Sequence, residues 1–303
     1  MTEQEIHYLS SNGSTQIQAF LWKPDGEPIG ILQISHGMCE YIERYRDFAS
    51  YLCGKGYLVC GNNHLGHGDS LIDETFGYFG DKNGHKYLID DVHGLTVQMK
   101  KQFPNLPYFL LGHSMGSFIA RLVAAQYYRD YTGALFCGTN GGNPFAGFGM
   151  LLADIISLVY GKRHPSKLLN NLSTGAFERK MGIGWLSTDL DQLAKYQNDE
   201  KCGFLFTASA YHELFCMIRK ISKKEWAESF PNNFPVYLFS GEEDPVGAMG
   251  RGVTRVYQRL LAAGKIDVSI KLYPGGRHEM LNERNREEVY EDVWNWISER
   301  MHR

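Results

Sequence analysis

Short apolar runs alternate with amphipathic helical stretches along most of this chain, and no other feature narrows its fold as much. Residues 29–35, 57–61, 108–111, 134–138, 235–240 and 268–273 read as strands, each rich in β-branched, aromatic or leucine side chains. Residues 44–55, 85–103, 116–128, 248–263 and 286–301 carry helical spacing; in the first of these Tyr45, Phe48, Ala49 and Leu52 share a face. Strands joined through helices run parallel, and a parallel sheet has to be covered on both faces. Residues 6–22 add an alternating pair that turns at Asn12-Gly13, a hairpin signal. The expected fold class is α/β, a mostly parallel central sheet with helices on both faces.

The alternation fails once. From 142 to 224 the chain is helical, aromatic and glycine-punctuated, without a clear strand, and "PVYLFS" then restores the pattern. Structureless loops longer than about 15 residues are uncommon in compact domains, so a helical insertion is expected. The organisation read from sequence is therefore two core segments, 1–141 and 225–303, around an insertion of 142–224. Its first stretch carries Phe145, Phe148, Met150, Leu151, Leu152, Ile155, Ile156, Leu158 and Val159, too many for one helical face. Either that helix is buried between the insertion and the sheet, or its second apolar face meets an acyl chain or a membrane surface.

Composition closes off some functions. A formal net charge of −3 offers no broad basic surface, so nucleic acid is not an expected partner. Residues 1–5 lack a basic region followed by an apolar run, and no run reaches the ~18 apolar residues of a membrane span, so a cytoplasmic protein is the expectation. The six cysteines contain no CxxC pair, which argues for reduced, mostly buried thiols.

The strand at 108–111 runs straight into Gly112-His113-Ser114-Met115-Gly116, and a helix follows without a linker. A serine there could be an ordinary helix cap. Capping, however, does not call for glycine two residues before and two residues after. Paired glycines are required when strand and helix backbones nearly touch and the serine is forced into a strained, outward-facing conformation, the GxSxG nucleophile elbow. A hydroxyl is a poor nucleophile until an imidazole takes its proton and a carboxylate orients that imidazole. Ligands in such sheets gather at the carboxyl ends of strands. "SGEEDPVG" and "YPGGRHEML" fall there and supply Asp244 and His278, in the order Ser, Asp, His of the α/β hydrolases. The backbone N–H after the nucleophile, that of Met115, is one expected oxyanion donor. Met38, in the loop "HGMCEY" where Gly37 permits close approach, is the other.

Together "HGMCEYIERY", "NHLGHGDS", "GHSMGS", "SGEEDPVG" and "YPGGRHEMLNE" resemble the monoacylglycerol lipase and lysophospholipase family of α/β hydrolases, serine aminopeptidase S33-type enzymes, over residues 29–299. The resemblance implies a serine carboxylester hydrolase with Ser114 as nucleophile, His278 as base, Asp244 as its partner, and Met38 and Met115 as oxyanion donors. It implies Gly37, Glu40 and Arg44 near the substrate, the insertion as a lid that could touch a membrane surface transiently, a lipid-like acyl ester as substrate, and no cofactor or metal. The chain departs from the family pattern at Asn63, where aspartate is usual, and at Leu281, three residues after the base, where some members are polar; the second departure bears on glycerol recognition.

Other constellations have plainer readings. His64 and His67 lack a third ligand and an HExxH pattern and read as a hydrogen-bonded turn. His36 is expected to buttress the oxyanion loop, His113 to pack or bond backbone, and His212 and Glu213 to lie on a helix surface. An aminopeptidase would need acidic groups lining the lid, for which Glu178, Asp189 and Asp191 are available, and a non-catalytic binding protein would not need all three of Ser114, Asp244 and His278.

Overall fold

The computed structural model describes residues 1–301. Eight strands form one sheet: β1 (Thr2–Leu9), β2 (Gln16–Lys23), β3 (Gly30–Ser35), β4 (Tyr57–Asn62), β5 (Tyr108–His113), β6 (Gly133–Cys137), β7 (Val236–Gly241) and β8 (Val268–Tyr273). The helices are α1 (Arg46–Gly54), α2 (Gly84–Gln102), α3 (Met115–Tyr127), α4 (Ala146–Tyr160), α5 (Lys167–Ser173), α6 (Gly175–Met181), α7 (Leu190–Gln197), α8 (Ala208–Ser222), α9 (Glu225–Glu228), α10 (Arg251–Ala262) and α11 (Arg286–Ser298). The sheet order is β1-β2-β4-β3-β5-β6-β7-β8. Strand β2 is antiparallel to both β1 and β4, and every other neighbouring pair is parallel. This is the mostly parallel, helix-covered sheet that the strand and helix alternation predicts, in the α/β-hydrolase form that the resemblance implies.

Side-chain alternation along the central strands divides the core in two. On β5, Tyr108 and Leu110 join one cluster with Leu88 and Val92 of α2, Ile119 and Val123 of α3, and Val256 of α10. Phe109 and Leu111 face the other way, toward Phe48 and Leu52 of α1 and Val289 and Val293 of α11. A period of two on strands and near four on helices is what lets one sequence fill both layers.

Two boundaries differ from expectation. The stretch 44–55 opens with a 3₁₀ turn, Ile42–Tyr45, before α1 begins. The stretch 248–263 becomes helical only at Arg251, because Ala248 and Met249 adopt φ of +52° and +55° while the Met249 N–H folds back to the Asp244 carbonyl at 2.8 Å.

Between β6 and β7 lie α4 to α9. Helix α4 lies along α8, closely enough that a Cβ on Gly149 would stand 2.9 Å from the Phe215 ring. Its buried positions are Ala146, Gly149, Ala153 and Ile156. Phe145, Phe148, Leu151, Ile155, Leu158 and Val159 are exposed, Leu158 by 86%. Of the two readings of this helix, burial between insertion and sheet does not hold: one face packs on α8 and the other carries bare apolar side chains. Among the described residues no helix is long and apolar enough to cross a membrane.

Candidate active site

The elbow at the end of β5 is as tight as its glycines imply. Ser114 adopts φ +53° and ψ −121°, a region that side chains other than hydrogen occupy only under strain. A Cβ on Gly112 would lie 2.3 Å from the Gly116 carbonyl oxygen, and one on Gly116 would lie 2.0 Å from that of Ser35. Both positions admit only glycine. The Ser114 N–H donates to the Cys137 carbonyl at 3.0 Å, so the neighbouring strand β6 holds the turn.

Beyond β7 and β8 the loops bring Asp244 and His278 together. His278 Nδ1 donates to Asp244 Oδ1 at 3.0 Å, and both residues are buried. The Val246 N–H also reaches Oδ1, at 2.8 Å, and the Ser240 hydroxyl reaches Oδ2 at 2.9 Å. Burial alone would raise the Asp244 pKa; His278, Ser240 and the Val246 amide outweigh it and hold the carboxyl below its ordinary value. Gly138, at φ +57°, passes behind the His278 ring where a Cβ would come within 3.1 Å, and the Trp185 ring packs in front at 5.1 Å.

Ser114 and His278 open onto one cavity of about 570 Å³. Gly37, Met38, Glu40 and Met115 also line it. In the loop after β3, the Gly37 N–H donates to Glu40 Oε1 at 2.6 Å and the Cys39 N–H to His67 Nε2 at 3.3 Å, with the Met38 amide between them. His36 ties the same loop, donating through Nδ1 to the Gly37 carbonyl at 2.8 Å and accepting at Nε2 from the His64 N–H at 3.0 Å. His67 donates through Nδ1 to the Leu65 carbonyl at 3.0 Å. Burial pushes the pKa of His36 down to about 4 and that of His67 to about 3, so these rings act as neutral hydrogen-bonding struts.

Arg44 is not itself among the residues that line the cavity but stands against Glu40, Glu279 and Tyr196, which are. Its guanidinium bonds Glu40 Oε2 at 2.6 Å and holds Glu279 by two contacts of 2.9 and 2.6 Å, while stacking over Tyr196 at 4.9 Å. Glu40 also accepts from the Tyr45 hydroxyl at 2.8 Å and from His113 Nδ1 at 3.0 Å. Burial would raise the Glu40 pKa, but Arg44 and His113 hold it well below the usual carboxylate range. His113 was expected to bond backbone, and its Nε2 does donate to the His278 carbonyl at 3.2 Å; the carboxylate on its other nitrogen is an addition. Burial opposes charge on this ring, Glu40 outweighs it, and the pKa is raised. One buried network thus ties the loop after β3 to the elbow and to the loop bearing His278.

Sequence reasoning did not reach Trp185, Ser240, Gly138 or Glu279. Only Glu279, adjacent to His278, had a visible signal. Glu213 is not on a surface: it is buried against His85 of α2. Asn63 is buried too, accepting from the Ile42 N–H at 2.7 Å and donating to Gln18 at 2.7 Å. Leu281 is buried in the α1 and α11 core layer and is not among the residues that line the cavity. Asp189 caps α7 and pairs with Arg286 at 2.9 Å, whereas Glu178 lies at the cavity's edge.

Known proteins share this fold and are similar in sequence. A carboxyl esterase from Bacillus coagulans, solved in complex with glycerol, superposes with a TM-score of 0.89 and 34% identity over 99% of both chains. Monoacylglycerol lipase of Mycolicibacterium smegmatis is 27% identical over 96% of each chain, and human monoglyceride lipase is 27% identical over 98% of this chain and 91% of its own. The profile of the serine aminopeptidase S33 family matches residues 26–285. The chain belongs to that family and is a serine hydrolase of the α/β-hydrolase fold.

Proposed function

We propose that this enzyme hydrolyses long-chain acyl monoesters, monoacylglycerol or lysophospholipid, through an acyl-enzyme on Ser114. The observation that carries the reading is that the strained serine and the Asp244-bound imidazole open onto one cavity whose walls include Phe118, Phe177, Leu214, Phe215 and Ile218. Such a wall suits a flexible alkyl chain, which gains roughly 0.8 kcal/mol for each buried methylene.

In this mechanism His278 accepts the Ser114 proton as Oγ attacks the ester carbonyl, and Asp244 stabilises the imidazolium. The Met38 and Met115 amides stabilise the oxyanion, each worth on the order of 3 kcal/mol in the barrier. His278 returns the proton to the departing alcohol, and water then releases the acid by the reverse sequence. The insertion serves as the lid, and the bare apolar face of α4 supports a transient contact with a membrane surface.

A second reading has one observation behind it. Glu178 at the cavity's edge is a carboxylate that could hold a free amine, as an aminopeptidase requires. Glu40 and Glu279 give it no help, since Arg44 already engages both.

Fluorophosphonate labelling of the protein and of Ser114→Ala, followed by p-nitrophenyl esters graded by chain length beside aminoacyl amides, tests these readings. Labelling lost in the variant, with kcat/KM rising toward acyl chains of about eight carbons or more, is expected. Amide turnover without ester turnover would overturn the ester assignment, and labelling that persists in Ser114→Ala would remove the nucleophile.

A further inference from the structure

Away from the Ser114 cavity, a thiol stands beside an imidazole that a carboxylate holds in place. Glu213 and Cys216 lie one turn apart on α8, and His85 is in the first turn of α2. Cys216 Sγ is 3.7 Å from His85 Nε2. Glu213 Oε2 accepts from His85 Nδ1 in a short contact and from the His85 backbone N–H at 3.1 Å. His85 and Glu213 are buried, whereas Cys216 is half-buried; the other five cysteines are all buried.

The arrangement has a directional consequence. A carboxylate that takes both the ring and the backbone N–H of one histidine fixes the ring plane, so Nε2 can point only toward the sulfur. An imidazolium N–H beside sulfur favours the thiolate, the nucleophilic form. Burial disfavours charge on His85, but Cys216 and Glu213 outweigh it and raise its pKa to about 9. The buried thiols have no such partner: burial pushes Cys53 up to about 11 and Cys60 to about 12, and raises Cys39, Cys137 and Cys202 as well.

Charged groups on the elements that carry the cluster and its neighbours include His212, Lys86, Arg219, Lys220, Asp154 and Arg121. His212 on α8 has Nδ1 2.7 Å from Asp154 Oδ1 of α4. Arg219 and Lys220 follow one turn along α8, Lys86 follows His85 on α2, and Arg121 of α3 donates to the Ile221 carbonyl at 3.1 Å.

We propose that Cys216, His85 and Glu213 form a reactive-thiol site, separate from Ser114, that takes low-molecular-weight disulfides and soft electrophiles. With a disulfide, the Cys216 thiolate attacks one sulfur; the new S–S bond forms as the reagent's own S–S bond breaks and its other half leaves as thiolate. The Cys216 sulfur is oxidised, the departing sulfur is reduced, and the thiol proton stays on His85. With an alkyl iodide, an S–C bond forms and iodide leaves.

Alkylation of the native protein by iodoacetamide, followed residue by residue with peptide mass spectrometry between pH 6 and 9, tests the assignment. Cys216 is expected to react first of the six, and about tenfold faster at pH 7 in the wild-type protein than in Glu213→Gln, where the His85 ring is no longer held toward the sulfur. Oxidised glutathione is expected to add one glutathionyl group to the wild-type protein, mapped to Cys216, and none to Cys216→Ser. Labelling of Cys216 no faster than of the buried cysteines, or equally fast in wild type and a folded Glu213→Gln, overturns the proposal; so does the absence of a glutathionyl adduct on wild-type Cys216, which decides even where the Glu213 variant fails to fold.

Discussion

Ser114 holds φ +53° and ψ −121° because the Gly112 and Gly116 backbones leave the chain no wider path from strand to helix. A non-glycine residue in such a region costs about 1–3 kcal/mol. Substituting Ser114→Gly relieves that strain and gives back about 0.5–1 kcal/mol through greater freedom of the unfolded chain. The expected outcome is a variant about 1 kcal/mol more stable by urea denaturation, with ester turnover lost. A variant less stable than wild type would mean that the elbow stores no strain. At this scale the sequence was informative: glycines two residues on either side of a serine, directly after an apolar strand, have a steric reason that is local to the chain. It was uninformative about Trp185, whose place against His278 depends on how a remote helical segment folds back.

The loop after β3 owes its shape to Glu40, which accepts from Gly37, Arg44, Tyr45 and His113. Arg44 keeps its two contacts to Glu279 when Glu40 is changed, but a glutamine amide set among the Gly37, Tyr45 and His113 donors leaves buried donors unmatched, at about 1–3 kcal/mol. Glu40→Gln should therefore lose stability of that order and lower kcat/KM, since the Met38 amide is no longer held in position. The pH dependence has a definite sign. The folded-state pKa of Glu40 is depressed, so its contribution is fully present above the ordinary glutamate pKa of about 4.3 and is lost as pH falls toward the depressed folded value. Glu40 also raises the His113 pKa, and that contribution is fully present below the ordinary histidine pKa of about 6.5 and is lost as pH rises through the raised folded value. The stability gap between wild type and Glu40→Gln is thus expected to be largest between about pH 5 and 6.5 and to shrink both below about 4 and at alkaline pH, measured by urea midpoints across that range. A gap that widens below about pH 4 would contradict this ionic role. The elements themselves were legible because their apolar residues repeat with periods of two or about four. Their ends were less so: the left-handed Ala248 and Met249 delay α10 through a hydrogen bond to Asp244, which no local propensity encodes.

Across the whole molecule, the insertion is fastened to the hydrolase core beside the site. The Glu279 N–H donates to the Leu186 carbonyl at 2.7 Å, Glu283 accepts from the Thr188 N–H at 2.9 Å, and the Tyr196 hydroxyl donates to the Cys39 carbonyl at 3.0 Å. The same insertion turns the apolar face of α4 outward. Replacing Phe148, Leu151 and Ile155 together with serine should reduce binding to phosphatidylcholine vesicles and slow hydrolysis of aggregated long-chain esters several-fold, while turnover of a soluble short-chain ester changes little. Co-sedimentation with vesicles and a two-substrate assay check this; equal loss on both substrates would point to damage at the site rather than at a surface. By itself the sequence determined the α/β class, and it pointed to a helical insertion and to the three residues of the proposed triad, because periodicity, tight-turn sterics and strand-end position are local properties of a chain. Only the tertiary structure decided that Arg44 is spent on Glu40 and Glu279, that α4 is bare on one side, and that Cys216 faces His85. Each of those depends on which distant segments meet in a closed interior, where desolvation makes the choice of partner far more consequential than it is in water.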